Sequence, residues 1–186
     1  MIRAALATGN RHKLEELGAA LPGWELELLE RDDIPEETGS TYEENARIKA
    51  THGVRFAGDG IWVIGEDSGI ELAALGGAPG VRSSRWADDG VARALAELAG
   101  VEERQARYVC VMVARDAAGR EFVSHGALEG AIALEPRGHG GFGYDPIFIP
   151  SGQTSTVAEL GDDWKQRNSH RARAAQALQK AFDAEG

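Results

Sequence analysis

Four groups of residues in this 186-residue chain combine side-chain types at spacings that catalysis or binding would use. The first is Thr8-Gly9-Asn10-Arg11-His12-Lys13, where an apolar run gives way through a glycine to helical spacing. Exposed N–H groups at a helix N-terminus, an Asn amide and a nearby ammonium together make a seat for phosphate. The same residues also read as a capped helix start with a solvated lysine. The second group is acidic: Glu36-Glu37, Glu43-Glu44 and Glu66-Asp67. A hard cation such as Mg²⁺ takes one or two carboxylates plus waters and substrate phosphates, so two acids from separate segments suffice. Lys49 would then offset charge left on a polyphosphate. Acidic loops also serve solubility alone, and Glu43 and Glu44 read best as complements to a helix dipole.

The third group, Gly138-His-Gly-Gly-Phe-Gly143, satisfies G-x-G-x-x-G and has Asp163 downstream. That fingerprint needs a helix opening at its last glycine, whereas Tyr144-Asp-Pro146 and a strand-like Ile-Phe-Ile follow. Its glycines are expected instead to bring backbone close to a ligand, with Phe142 or Tyr144 available for stacking. The fourth group is basic: Lys165, Ser169, His170, Arg171 and Arg173. As helical neighbours, Ser169 and His170 point about 100° apart and cannot form a nucleophile–base pair with each other. Lys165, Ser169 and Arg173 share one face if the helix is unbroken, and such a face also arises from plain surface salt bridging. His12, His52, His125 and His139 show no metal-ligand spacing and read as surface or loop residues.

The elements that must hold these groups follow from periodicity. Ile2 to Ala7 reads as a strand, and Leu14, Leu17 and Leu21 recur at helical spacing until Pro22-Gly23. Trp24 to Leu29 alternates like a half-buried strand, and Glu30 to Thr38 is a polar loop. Ser40 with Glu43, or Thr41 with Glu44, offers a capping box for a helix carrying Tyr42, Ala46, Ala50, Val54 and Ala57 along one stripe. Asn45 and Lys49 lie together one position around. Ile61 to Ile64 reads as a central strand that runs into Gly65-Glu66-Asp67-Ser68-Gly69, placing carboxylates at a strand end, where open α/β sheets bind ligands. Leu75 to Gly80 is a turned loop. Asp88 or Asp89 caps a helix through Leu98, closed by Gly100. Arg107 to Arg115 and Glu121 to Leu128 are strands joined by a turn at Asp116 to Gly119, with Ala131 to Leu134 a third and Ile147 to Ile149 another. From Asp162 onward the chain turns helical, with Ala175, Leu178 and Phe182 on one face.

Composition narrows the function classes. Apolar residues make up 42% and charged residues 27%, ordinary globular values that argue against disorder, collagen and coiled coil. The net charge of −10 repels a phosphate backbone and an anionic membrane over long range, so neither is an expected partner. A small phosphorylated ligand stays open, because a few local cations or a metal overrule the overall field. The single Cys110 excludes an intrachain disulfide and a cysteine-based zinc cluster, and its apolar strand makes it a small core residue. Without a secretory leader pattern or an apolar run near the roughly 18 residues that span a bilayer, a cytoplasmic protein is expected. With no internal repeat, low-complexity tract or linker, residues 1–186 are expected to form a single domain.

Taken in order, these segments resemble the inosine triphosphate pyrophosphatase family. The resemblance runs through Ala7-Thr-Gly-Asn-Arg-His-Lys13, Glu37-Thr-Gly39 with Glu44-Asn-Ala-Arg-Ile-Lys-Ala50, Glu66-Asp-Ser-Gly-Ile70, and Leu75-Gly-Gly-Ala-Pro-Gly-Val81. It continues through Gly140-Gly-Phe-Gly-Tyr-Asp-Pro-Ile-Phe148, Ala158-Glu-Leu160, and Lys165 before Ser169-His-Arg171. It implies an elongated two-lobed α/β fold, with a central mixed sheet flanked by helices, a cleft between lobes and a homodimeric assembly. It also implies Mg²⁺-dependent hydrolysis of non-standard purine nucleoside triphosphates (ITP, dITP, XTP) to monophosphate and diphosphate, cleansing the nucleotide pool.

By the same resemblance, Thr8, Gly9, Asn10, Arg11, His12 and Lys13 would hold the triphosphate, and Glu37 and Asp67 the metal. Asp67 would accept a proton, with Lys13 and Lys49 beside it in the catalytic group. Ser68, Phe142, Gly143, Tyr144, Asp145, Lys165, His170 and Arg171 would contact substrate. The chain departs from the family pattern at Arg82-Ser-Ser-Arg-Trp86, at Ala73 and in a shortened segment near Asp88 to Val91, changes that bear on the dimer contact and base preference. The competing readings are a non-catalytic purine-nucleotide-binding regulatory domain and, more weakly, a dinucleotide-dependent oxidoreductase.

Overall fold

The computed structural model describes residues 1–29 and 35–185; of the polar loop expected at 30–38, residues 30–34 lie outside the described residues. The elements run β1 (Ile2–Leu6), α1 (Arg11–Ala20), β2 (Trp24–Leu28), α2 (Tyr42–Gly53) and β3 (Trp62–Leu72), then two short 3₁₀ turns and α3 (Gly90–Glu97). They continue with β4 (Gln105–Arg115), β5 (Glu121–Ile132), β6 (Phe148–Pro150), α4 (Val157–Leu160), α5 (Asp162–Asn168) and α6 (His170–Glu185). The strands order β2-β1-β3-β4-β5-β6 in one sheet flanked by helices. Strand β1 pairs parallel with β2 and β3, and β6 pairs antiparallel with β5, so the sheet is mixed as expected.

The chain divides into two compact units. The first comprises Met1–Asp67, Cys110–Gly126 and Arg171–Gly186. Its central strands bury side chains on both faces. Ala4, Leu6, Ile64, Cys110, Met112 and Ala114 pack with Leu17 and Leu21 and with Ala174, Ala175 and Leu178 of α6. The alternate residues Ala5, Ala7 and Val63 pack with Leu29, and Val113 packs with Ala46 and Ala50 of α2. The second unit comprises Ser68–Val109 and Ala127–His170, with its own core around Ile70, Leu72, Leu98, Tyr108, Ile132, Ile147 and Phe148.

Helix starts follow the caps read from sequence. The Asn10 side chain accepts from His12 N–H, and Asp89 accepts from Ala92 N–H. Of the two capping boxes on offer for α2, Thr41 with Glu44 forms. The Glu44 carboxylate accepts from the Ser40 hydroxyl and from the Ser40 and Thr41 N–H groups, which hold it below the usual carboxylate range.

Three expectations change. Strand β3 does not stop at Ile64 but runs through Glu66-Asp67-Ser68 to Leu72, so the carboxylates sit inside a strand rather than at its end. A buried strand tolerates them because cationic side chains from α1, α2 and α6 meet them there (described below). Ala131 is likewise the continuation of β5, not a separate strand. The C-terminal helix is broken at Ser169, whose ψ of 161° is extended, so Lys165, Ser169 and Arg173 do not share one continuous face.

Gly65 sets how closely α2 lies on β3. A Cβ there would stand 2.0 Å from the Ala46 carbonyl oxygen and 2.6 Å from the Ala50 nitrogen, both backbone atoms. Gly65→Ala is therefore expected to lose about 3 kcal/mol of stability through overpacking, read by urea unfolding. Gly18→Ala is expected to gain about 0.5–1 kcal/mol, because Gly18 lies in α1 with open space where a Cβ would point.

Candidate active site

In the first unit the site is built around Lys49. One helical turn separates Asn45 and Lys49, so the two side chains leave α2 on the same side, and both are buried against β3. The Lys49 ammonium touches Glu37 Oε1 at 2.5 Å, Asp67 Oδ1 at 2.9 Å and the Glu66 carbonyl oxygen at 3.0 Å. Three protons meet three acceptors. Asn45 Nδ2 donates to the other Asp67 oxygen at 3.2 Å, while its Oδ1 accepts from Gly39 N–H at 2.8 Å. Asn45 thus ties the Glu37-Thr38-Gly39 segment to the strand that carries Asp67.

The electrostatics follow from this packing. Burial alone would push the Lys49 ammonium toward neutrality, but Asp67 and Glu37 outweigh it and raise its proton affinity. Burial, helped by Glu37, raises Asp67 above the usual carboxylate range against the pull of Lys49 and Asn45. Lys49 is shared between two carboxylates, and one of them, Asp67, has enhanced basicity. A carboxylate so placed suits taking up a proton, and two hard oxygen donors from separate segments suit a divalent cation.

A second knot lies one residue away. Glu66 is 1% exposed and faces the opposite side of β3 from Asp67. Its carboxylate takes Lys13 Nζ on one oxygen, and Arg171 at 3.0 Å and Cys110 Sγ at 3.3 Å on the other. Arg171, itself 1% exposed, also pairs with Glu16 of α1. Burial would raise Glu66, but Arg171 and Lys13 dominate and hold it well below the usual range. Burial and Glu66 together drive the Cys110 thiol well up, so it is a core residue, as its strand implied. At the start of α1, Thr8 Oγ1 accepts from Asn10 N–H at 3.2 Å. Gly9, Arg11 and His12 are exposed there, His12 beside Glu15 at 3.6 Å.

In the second unit the organising group is Asp145, 2% exposed. Its Oδ2 accepts from Lys165 Nζ at 2.6 Å and from Phe142 N–H at 2.9 Å, and its Oδ1 accepts from the Tyr108 hydroxyl at 3.1 Å. Lys165 Nζ also lies 4.0 Å from the Phe142 ring centroid. The His170 ring stacks on Tyr108 at 4.5 Å and 11°. Tyr144 is buried, its hydroxyl donating to the Ser83 carbonyl oxygen at 3.1 Å, and Ser68 is half-buried in β3.

The glycine run is not the opening of a helix, as read from sequence, but its glycines serve the chain itself. A Cβ on Gly138 would meet the Ala158 backbone at 2.6 Å, and one on Gly141 would meet Asp145 Oδ2 at 2.2 Å. Gly138 and Gly140 let the loop lie against α4, and Gly141 lets it wrap the Asp145 carboxylate.

Of the residues singled out from sequence, the structure gathers Glu37, Lys49 and Asp67; Lys13 and Arg171; and Phe142, Asp145 and Lys165. The roles of Glu66, Asn45, Glu16 and Tyr108 were not read. Only the spacing of Asn45 to Lys49 signalled a shared face. Tyr108 looked like one more apolar strand residue.

The Ham1 family model matches residues 4–181. A dITP/XTP pyrophosphatase of Symbiobacterium thermophilum is 47% identical over 181 residues, covering 92% of this chain and 90% of that one. One from Gloeobacter violaceus is 43% identical over 178 residues, covering 93% and 90%. Among solved structures, the Staphylococcus aureus Ham1 protein superposes with a TM-score of 0.87 at 33% identity over 99% of this chain and 100% of that one. A Mycobacterium abscessus nucleoside-triphosphatase / dITP/XTP pyrophosphatase gives 0.72 at 40%, over 95% and 97%. Fold, site and relatives define an α/β enzyme. The chain belongs to the Ham1 family, which bears out the resemblance read from its motifs.

Glu66 yields a prediction on stability. Its folded proton affinity is depressed, so its contribution is complete above the ordinary carboxylate range and is lost progressively as pH falls below that range toward the lower folded value. Glu66→Gln, which strips a charge partner from buried Arg171, is expected to lose about 3 kcal/mol at pH 7. That deficit should shrink below about pH 4.3, measured by urea unfolding across a pH series.

Proposed function

We propose that this enzyme hydrolyses the non-standard purine nucleoside triphosphates dITP, XTP and ITP to the monophosphate and diphosphate, with Mg²⁺ as cofactor, cleansing the nucleotide pool. The observation that carries the reading is the buried Lys49 ammonium joined to both Glu37 and Asp67, two carboxylates from separate segments. That donor set fits the ion, being two hard carboxylates from separate segments. Among the described residues no three His, Cys, Asp or Glu are grouped to hold an ion, so substrate phosphates and water would complete its shell. Glu37 and Asp67 would hold the Mg²⁺, which when bound would neutralise charge on the phosphate oxygens.

The chain's own groups account for the rest. The Thr8 to Lys13 segment offers the N–H groups of a helix start and an ammonium to the triphosphate. Lys13 is positioned for this by Glu66, which is in turn held by Arg171. Asp67 takes the proton of the attacking water, its basicity raised by burial and tuned by Lys49 and Asn45. In the second unit, the Phe142 ring and the Lys165 ammonium serve the base. Hypoxanthine and xanthine present an acceptor oxygen at purine position 6, where adenine presents an amino donor. Fixed donors therefore go unpaired against adenine and disfavour it. Arg171 is engaged by Glu16 and Glu66, so this donor role falls to His170 and to backbone N–H groups near Phe142.

The test incubates pure protein with ITP, XTP, dITP, GTP and ATP, with Mg²⁺ or chelator, and identifies the products. Diphosphate release from the 6-oxo substrates that needs the metal is expected, with Asp67→Asn lowering kcat by about 100-fold or more. Turnover of ATP equal to that of ITP would sink the selectivity argument, and nucleotide bound but left intact would favour the regulatory-domain reading. A homodimer is part of the proposal, and sedimentation velocity at twice the chain mass is the expected result.

A further inference from the structure

Tyr108 belongs to no motif singled out in the sequence, yet it touches two of the groups directed at the base. Its ring lies in the core of the second unit, 7% exposed, and packs on Phe148 at 4.4 Å. The opposite use of the same residue is polar. The hydroxyl donates to Asp145 Oδ1, while the other oxygen of that carboxylate gathers the Lys165 ammonium and the Phe142 N–H. The ring face is parallel to His170 within 11°. An imidazole has few ways to orient its ring nitrogens once its plane is fixed, and a buried carboxylate keeps its rotamer when both oxygens are taken.

We propose that Tyr108 is a positioning residue for purine selectivity: through one side chain it fixes the plane of the His170 ring and the orientation of the Asp145 carboxylate that places Lys165 and Phe142. This deepens the reading above and rests on it. Tyr108 touches no substrate atom in this proposal. Its two functions are separable, because Tyr108→Phe keeps the stacked ring and removes only the donor, whereas Tyr108→Leu removes both.

The experiment uses the full chain and three readouts. Steady-state hydrolysis of dITP and dATP gives KM, kcat and their ratio. Calorimetry with dIMP reads binding of the base without turnover. The ring-proton NMR shifts of His170 report on the aromatic stacked against it. For Tyr108→Phe the expected result is a KM for dITP and a dIMP Kd raised about tenfold, as for loss of a hydrogen bond to a charged group. The kcat should stay within about twofold, and the His170 shifts should stay at their parental positions. Tyr108→Leu should move the His170 shifts and reduce the preference for dITP over dATP as well.

The proposal is overturned if Tyr108→Phe, folded by circular dichroism, keeps parental KM, Kd and substrate preference. It is also overturned if both variants lose only unfolding stability, which is all a packing role would produce. A parent that binds dIMP but hydrolyses nothing defeats the proposed reaction while leaving the binding test of Tyr108 intact. A parent that neither binds nor hydrolyses removes the base site, and this proposal with it.

Discussion

A lysine ammonium buried between two carboxylates is the constraint on which the first unit of this protein depends. Taking Lys49 and Asp67 out of water is expensive for each group alone, and their mutual contact, with Glu37 on the same ammonium, offsets that cost. The contact demands that α2 lie close on β3, which Gly65 permits by offering no side chain to the Ala46 carbonyl. It also demands that the segment carrying Glu37 be held down, which Asn45 does by accepting from Gly39 N–H while donating to Asp67. The chemistry of the site and the packing of the helix are therefore one requirement. A buried carboxylate with raised basicity, Asp67, is the consequence, and such a group suits the acceptance of a proton.

Adjacent positions on β3 carry opposite duties because a strand turns successive side chains to opposite faces. Asp67 faces α2 and stays chemically poised. Glu66 faces α1 and α6, where Lys13 and Arg171 make it a firmly ionised anchor. The anchor orients Lys13 near the start of α1. The second unit uses the same device, with Asp145 as the carboxylate and Lys165 as its cation. In both units buried acids set the positions of cationic side chains. A chain with a net charge of −10 can thereby present local positive potential.

The legibility of the molecule was uneven for physical reasons. Helix starts were readable because a cap is a local event: Asn10, Thr41 with Glu44, and Asp89 satisfy N–H groups two or three residues away. Apolar runs such as Ile2 to Ala7 were readable because a strand covered on both faces cannot alternate. The run of β3 through Glu66-Asp67-Ser68 was not readable. Charged residues in a strand are permitted only when partners arrive from elsewhere, here from residues 13, 45, 49 and 171. The break at Ser169 was hidden too, since α5 and α6 have compatible local composition on either side.

The order of types along the chain, with Thr8 to Lys13, Glu37, Lys49, Asp67 and Phe142 to Asp145 in succession, determined by itself the family. Those residue types at those spacings carry the required donors, acceptors and glycine turns whatever holds them. What tertiary structure alone decided is which carboxylate has its basicity raised and which is held ionised. Asp67 and Glu66 are neighbours of nearly identical chemistry. One becomes basic and the other an anchor because burial and the charges brought to each face of β3 differ, and those come from segments as far as 105 residues away. Glu16 and Tyr108 acquired roles the same way, through long-range contacts that no local pattern encodes.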